Sequence, residues 1–133
     1  MANKIYPKYK QAAATGAANV DLTTGTIKIV LVDSAVYTYS DAHQFFSDIA
    51  SVVATATLSS PTMSALAVFD AADPTFTAVT GAQSEALIIY KDTGVAGTSR
   101  LIVYLDTGVT GLPVTPSGAD IQVVFDAAGI CTF

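Results

Sequence analysis

Apolar residues along this chain recur mostly at period two or in short unbroken runs, the pattern of β-strands. Residues 26–33 give the first clear strand: Ile27, Ile29 and Leu31 share one face, while Val30 and Val32 keep the second face apolar. Residues 52–58 alternate with Thr55 and Thr57 on one side, and strands are predicted over 62–70 and 75–79. Residues 84–91 and 100–106 are the strongest pair. They flank a Gly-containing loop, 92–99, and predict a long hairpin. Leu87, Ile88 and Ile89 in one strand and Leu101, Ile102 and Val103 in the other leave neither face polar. Such strands belong at the centre of a sandwich or under a subunit contact. Ile121, Val123 and Phe125 alternate in a last strand.

One stretch has helical spacing. Asp41 suits an N-cap, with Gln44 three residues on as in a capping box. Ala42, Phe45, Phe46 and Ile49 follow at i, i+3, i+4 and i+7, which predicts a short α-helix over about 41–50. Residues 1–18 differ from the rest, because Lys4, Lys8 and Lys10 stand there beside Ile5, Tyr6 and Tyr9. Pro7 can open a short helix that runs through 12–14 and stops at Gly16. The expectation is a mainly β protein, a two-sheet sandwich or jelly-roll-like form with that one short helix. It comprises a helical or extended N-terminal arm (1–18) and a single β-rich domain (19–133).

Two internal echoes accompany the strands. Val68-Phe69-Asp70-Ala71-Ala72 returns as Val124-Phe125-Asp126-Ala127-Ala128, and Tyr90-Lys91-Asp92-Thr93-Gly94 as Tyr104-Leu105-Asp106-Thr107-Gly108. The spacings share no common unit, so this is no solenoid. The echoes read as one strand-exit device, an Asp capping a turn whose bend a small residue supplies, and Asp33 plays the same part after Val32.

Composition then narrows the function. Apolar residues make 51% of the chain and charged residues 13%, about half the usual share. A folded monomer of this mass exposes about 6,500 Å². Seventeen charged side chains (six basic, eleven acidic) cover that area thinly. Either Ser, Thr, Asn and Gln make up the surface, or part of it faces other subunits. A net charge of −5 without a basic cluster beyond Lys4, Lys8 and Lys10 argues against nucleic acid as a partner. No run approaches the ~18 apolar residues of a membrane span, and the first residues lack the apolar stretch of a secretory signal. Cys131 is the single cysteine, so no intrachain disulfide forms. These features fit a product made and assembled in a cytoplasm.

Candidate chemistry is sparse. Asp70, Asp73 and Asp126 could meet around a hard cation, but no calcium-loop spacing is present and turn capping accounts for each. His43, the only histidine, has Ser47 and Asp48 nearby without any nucleophile-elbow motif, and a solvated histidine is the plainer reading. Glu85 has no carboxylate partner for glycosidase chemistry. One His and one Cys cannot supply the usual zinc ligands. Tyr37, Tyr39, Tyr90 and Tyr104 could line a sugar-binding face, or serve as ordinary strand and interface residues. No enzyme, catalytic residue, metal or cofactor is expected.

Several stretches, in order along nearly the whole chain, resemble a family of small structural proteins of tailed bacteriophages. They are Ala2-Asn3-Lys4-Ile5-Tyr6-Pro7-Lys8, Val30-Leu31-Val32-Asp33-Ser34-Ala35, Tyr37-Thr38-Tyr39-Ser40, Ala42-His43 and Phe46-Ser47-Asp48-Ile49. Ser84-Glu85-Ala86-Leu87, Lys91-Asp92-Thr93-Gly94 and Thr98-Ser99-Arg100-Leu101 continue the series. The most distinctive is Asp106-Thr107-Gly108-Val109-Thr110-Gly111-Leu112-Pro113-Val114-Thr115-Pro116-Ser117-Gly118. The segment after Ile49 is shorter than the family's, and the tail Cys131-Thr132-Phe133 lacks the basic residue often found there. The resemblance implies a virion component, on the capsid surface after assembly in the host cytoplasm. The favoured role is a capsid decoration, or cement, protein that binds the major capsid protein and associates with copies of itself as a homotrimer. The alternative is a tail, neck or baseplate component with a receptor- or carbohydrate-binding face. The family pattern marks no catalytic residue. Lys4, Ile5, Tyr6 and Tyr9, in an arm reaching a neighbour, together with Leu112 and Pro113, are the candidate partner-interface residues.

Overall fold

The computed structural model describes residues 3–133, so Met1 and Ala2 of the expected arm lie outside the described residues. In chain order the elements are β1 (Lys4–Ile5), α1 (Pro7–Ala14), β2 (Thr26–Val32), a 3-10 turn (Phe46–Asp48), β3 (Ala54–Thr57) and β4 (Thr62–Met63). Then come β5 (Val68–Asp70), β6 (Thr75–Phe76), β7 (Ala86–Asp92), β8 (Leu101–Leu105), β9 (Ile121–Gln122) and β10 (Cys131–Thr132). The strands build an antiparallel five-stranded sheet in the order β1-β8-β7-β2-β3, a three-stranded sheet β10-β5-β4 and a pair β6-β9. The protein is mainly β and sandwich-like, as its periodicity predicts.

Successive side chains of a strand point to opposite faces. The pairings Val30 with Ile88 and Ile88 with Tyr104 therefore put those residues on one face of the large sheet. Leu31, Leu87 and Leu105 lie on the other, with Ile29, Ile89 and Val103. The connection 33–53 covers the first face: the Phe46 ring stacks on Tyr90 at 4.4 Å, and Tyr37 stands 6.3 Å from Tyr104. The smaller sheets cover the second, where Leu105 shares a cleft with Val68, Phe125 and Cys131. Phe69, Phe76, Ile121 and Ile130 join the same core cluster. Covered on both faces, β8 buries all of its residues and β7 all but Asp92. That explains the missing alternation in both strands. Each fully buried Ile or Leu there stabilises the fold by roughly 1.5–3 kcal/mol.

The helix expected over 41–50 does not form. Phe45 is extended (φ −125°, ψ 162°) and bridges Arg100, the Phe46 amide donates to the Ser99 carbonyl (2.8 Å), and the Leu101 amide donates to the Gln44 carbonyl (3.0 Å). Residues 44–46 thus fill the outer edge of β8 next to β1, where the Tyr6 amide donates to the Ile102 carbonyl. An unpaired buried strand edge is costlier than a lost helical turn. Asp48, not Asp41, caps the segment by accepting the amides of Gln44 (2.7 Å) and Phe45 (3.0 Å). The one α-helix among the described residues is α1, which Pro7 opens and which ends before Gly16 (φ +69°), as the N-terminal pattern predicts.

The N-terminal segment is not a free arm. Tyr6 is 0% and Tyr9 6% exposed: β1 completes an edge of the large sheet, Tyr6 follows it directly, and α1 buries Tyr9 on the domain. The strand expected over 62–70 is two strands folded back on each other. Ser64 accepts the amides of Leu66 and Val68 through its hydroxyl, and Ala67 takes a left-handed φ of +62°.

Candidate functional site

A polar constellation of tyrosines and a histidine lies on the first face of the large sheet. The extended segment after β2 carries Tyr37, Tyr39 and His43 back across β8 and β1, where Tyr104 and Tyr6 meet them. Tyr6 and Tyr37 share a hydroxyl–hydroxyl hydrogen bond of 2.8 Å, and the Tyr37 hydroxyl meets His43 Nδ1 at 2.7 Å. Tyr39 donates to Asp41 Oδ1 (2.7 Å), which also receives Lys4 Nζ (2.8 Å), and Lys4 lies 5.2 Å from the centre of the Tyr39 ring. The Tyr6 and Tyr104 rings pack against Tyr39 at 5.0 and 5.5 Å, and Tyr104 also stands 6.3 Å from the Tyr37 ring.

Burial sets the electrostatics. It pushes the phenols of Tyr9, Tyr37 and Tyr90 up to about 12 and raises Tyr6, Tyr39 and Tyr104 as well, with the hydrogen bond to Tyr37 adding to Tyr6 and the Asp41 carboxylate to Tyr39. Hydrogen bonds from Lys4 and Tyr39 hold Asp41 below the usual carboxylate range, and the backbone amides of Gln44 and Phe45 do so for Asp48. Of the four tyrosines that could form a sugar face, Tyr37, Tyr39 and Tyr104 share a cleft of about 230 Å³ with Ser34, Glu85 and Asp106. Tyr90 stands apart, stacked on Phe46. Tyr37 and Tyr104 are 2% and 4% exposed, so their faces are spent on neighbouring rings rather than offered as a platform.

The six candidate interface residues separate. Lys4 and Ile5 line a cleft of about 310 Å³ with Lys10, Val103 and Cys131. Tyr6 and Tyr9 are buried inside the domain, Tyr9 donating its hydroxyl to the Val20 carbonyl (2.6 Å), and so leave the partner surface. Leu112 and Pro113, joined by a cis peptide bond, lie in the loop between the Thr110–Val124 and Ser84–Val114 bridges. Leu112 is half-buried against the core and Pro113 is exposed. The loop rests tightly on β9: at Gly111 (φ +109°) a Cβ would stand 3.1 Å from the Gln122 carbonyl.

The aspartates act as turn caps. Asp33, Asp92 and Asp126 each accept the amide two residues on, at 2.9, 3.0 and 2.8 Å. Asp70 accepts the Ala71 amide, and Asp73 reaches across to the Phe125 amide (2.9 Å), so the echoed turns are neighbours. Among the described residues no group of three or more His, Cys, Asp or Glu side chains is placed to hold a metal ion. Glu85 Oε1 receives the Ser34 hydroxyl (3.2 Å). Burial pushes the Cys131 thiol up to about 12, away from the thiolate that nucleophilic chemistry needs. No helix among the described residues is long and apolar enough to cross a membrane.

Sequence reasoning missed the β4–β5 hairpin as a surface feature. Leu66 at its tip is 82% exposed and Met63 38%, on a stretch (62–69) without a charged residue. Its turn lacks Gly and Pro, and the one signal was Ser64, a residue type that closes such turns through its hydroxyl. No protein-family model matches the chain, and no curated relative does.

Proposed function

We propose that this chain is a virion structural protein, a capsid decoration protein that binds the outer capsid surface and stabilises contacts between major capsid subunits. The observation that carries the reading is the β4–β5 hairpin, which holds Leu66 and Met63 out from a sparsely charged surface. An apolar side chain presented on a short, turn-locked hairpin loses little entropy when it enters a partner's pocket. The family resemblance supplies the kind of partner. Contacts of about 800 Å² per copy are ordinary in size, and many copies on one shell gain from local attachment. The turn-capping aspartates and the hydrogen-bonded Tyr6, Tyr9, Tyr37 and Tyr39 are employed in holding the fold together.

The test is co-sedimentation of purified wild type and Leu66→Asp with phage heads lacking the protein, alongside particle imaging. Saturating attachment of the wild type at hundreds of copies per head, weakened at least tenfold by Leu66→Asp, is the expected result. Absence of attachment, or density confined to a handful of copies on the tail, overturns the decoration role. Equal attachment of the variant removes the hairpin from it.

A further inference from the structure

We infer that the hydrogen-bonded chain Tyr6–Tyr37–His43 is an acid-sensitive latch that holds the N-terminal segment on the domain. The inference is independent of the decoration role and rests on a count of hydrogens. The chain has two links, Tyr6 hydroxyl to Tyr37 hydroxyl (2.8 Å) and Tyr37 hydroxyl to His43 Nδ1 (2.7 Å). With a neutral imidazole carrying its proton on Nε2, Tyr6 donates to Tyr37 and Tyr37 donates to Nδ1. Two hydrogens fill two links, and both hydroxyl donors are used. The other neutral tautomer makes Nδ1 a donor, which reverses both links and leaves the Tyr6 hydrogen without an acceptor in this chain. A second proton on the imidazole has the same consequence: three hydrogens now serve two links, and one hydroxyl hydrogen is surplus.

The surplus falls where water does not reach. Tyr6 is 0% and Tyr37 2% exposed. A buried donor left without an acceptor shifts an equilibrium by roughly ten- to a hundredfold. Opening relieves it, and the part free to open is the segment bearing Tyr6. That segment is held by the two-residue strand β1, the Tyr6 amide on Ile102, the Asn3 side chain on Asp106 and Thr107, Lys4 on Asp41, the Tyr9 hydroxyl on Val20 and the short helix α1, all at the margin of the sheet. β2 and β7, paired along their whole lengths at the centre of the large sheet, have no comparable freedom.

The other titratable groups around the latch can be named. Asp48 is the carboxylate whose charge interacts with His43, and it favours the imidazolium, the form that releases the latch. Asp48 is exposed, so solvent and salt weaken that attraction, whereas the surplus hydrogen sits in the core. Tyr104 packs on the Tyr37 ring from β8, and Tyr39 on Tyr6. Asp41 is held by Lys4 and Tyr39. All of these phenols are raised and stay neutral through the acid range.

His43 is the only histidine in the chain, which makes the experiment clean. Amide hydrogen exchange of the full chain, corrected for intrinsic rates, is followed between about pH 8 and pH 5. The opening equilibrium of the Tyr6, Tyr9 and Lys10 amides is expected to rise about tenfold on acidification, with the β2 and β7 amides flat. His43→Asn keeps an acceptor for Tyr37 at every pH and should abolish the rise; His43→Gln serves if the Asn variant folds poorly. A flat wild-type profile, or an equal rise in the variants, overturns the latch. Nitrogen NMR of the imidazole gives a second reading: Nδ1 must be the unprotonated nitrogen at neutral pH, and a proton found there refutes the count.

Discussion

The N-terminal segment and the β4–β5 hairpin both carry bulky apolar side chains on short elements at the margin of the fold, yet they end in opposite conditions. Tyr6 is completely buried, and Leu66 is 82% exposed. Local composition predicts the reverse, since the N-terminal segment is the basic one and the hairpin has no charge from 62 to 69. The difference lies in what each segment finds beside it. β8 has an outer edge that needs pairing, and β1 supplies it through Lys4 opposite Tyr104 and Ile5 opposite Val103. Once that pairing is made, Tyr6 falls among Tyr37, Tyr39 and Tyr104. The hairpin satisfies its own amides through Ser64 and its pairing with β5, and nothing among the described residues covers its tip. Backbone demand, more than hydrophobicity, decided which protrusion came home.

Alkali should break this comparison most severely, because five of the six tyrosines are buried, Tyr39 is half-buried, and none stands in the hairpin. All six phenols are raised, chiefly by burial, while in the unfolded chain they ionise near pH 10. A group whose folded pKa is raised gives its full stability below the unfolded value and loses it as pH rises through the folded one. Stability should therefore hold up to about pH 10 and collapse as pH climbs past about 12. Ultraviolet absorbance of tyrosinate, read together with circular dichroism, checks this. Phenolate appearing near pH 10 with the fold intact would contradict the burial.

The next effect is local to the segment. Tyr6→Ala removes a fully buried ring and its hydrogen bond to Tyr37, and should cost about 3–5 kcal/mol in denaturant unfolding. A cost below about 1 kcal/mol would mean that the segment is the loosely held arm its composition suggests.

These same contrasts show how much the sequence can tell. The hairpin of β7 and β8 was legible because its residues answer one requirement, burial on two faces, which leaves an unbroken apolar run. The Asp turns were legible because Asx capping acts over two residues. The helix expected at 41–50 failed because Phe45 and Phe46 satisfy helical spacing and edge pairing equally well, and only the position of Ser99 and Leu101 in space selects between them. Tyr6, Tyr37 and His43 meet across separations of 31 and 6 residues, with no motif to announce the contact. A candidate interface read from charge and aromatics therefore chose Tyr6 and Tyr9, which the fold consumes, and passed over Leu66, which it leaves outside.

The smallest effect sharpens the comparison from the other side. Leu66→Ser removes an apolar side chain that is already in water, so the folded and unfolded states lose almost the same contacts. Ser is tolerated in turns, and the Leu66 amide keeps its bond to the Ser64 hydroxyl. Stability should change by less than about 0.5 kcal/mol in denaturant unfolding. A cost above about 1.5 kcal/mol would require Leu66 to be packed in the free protein, through self-association or a different hairpin pose. Repeating the measurement across protein concentrations separates these, because stability gained by association rises with concentration and stability gained within one chain does not.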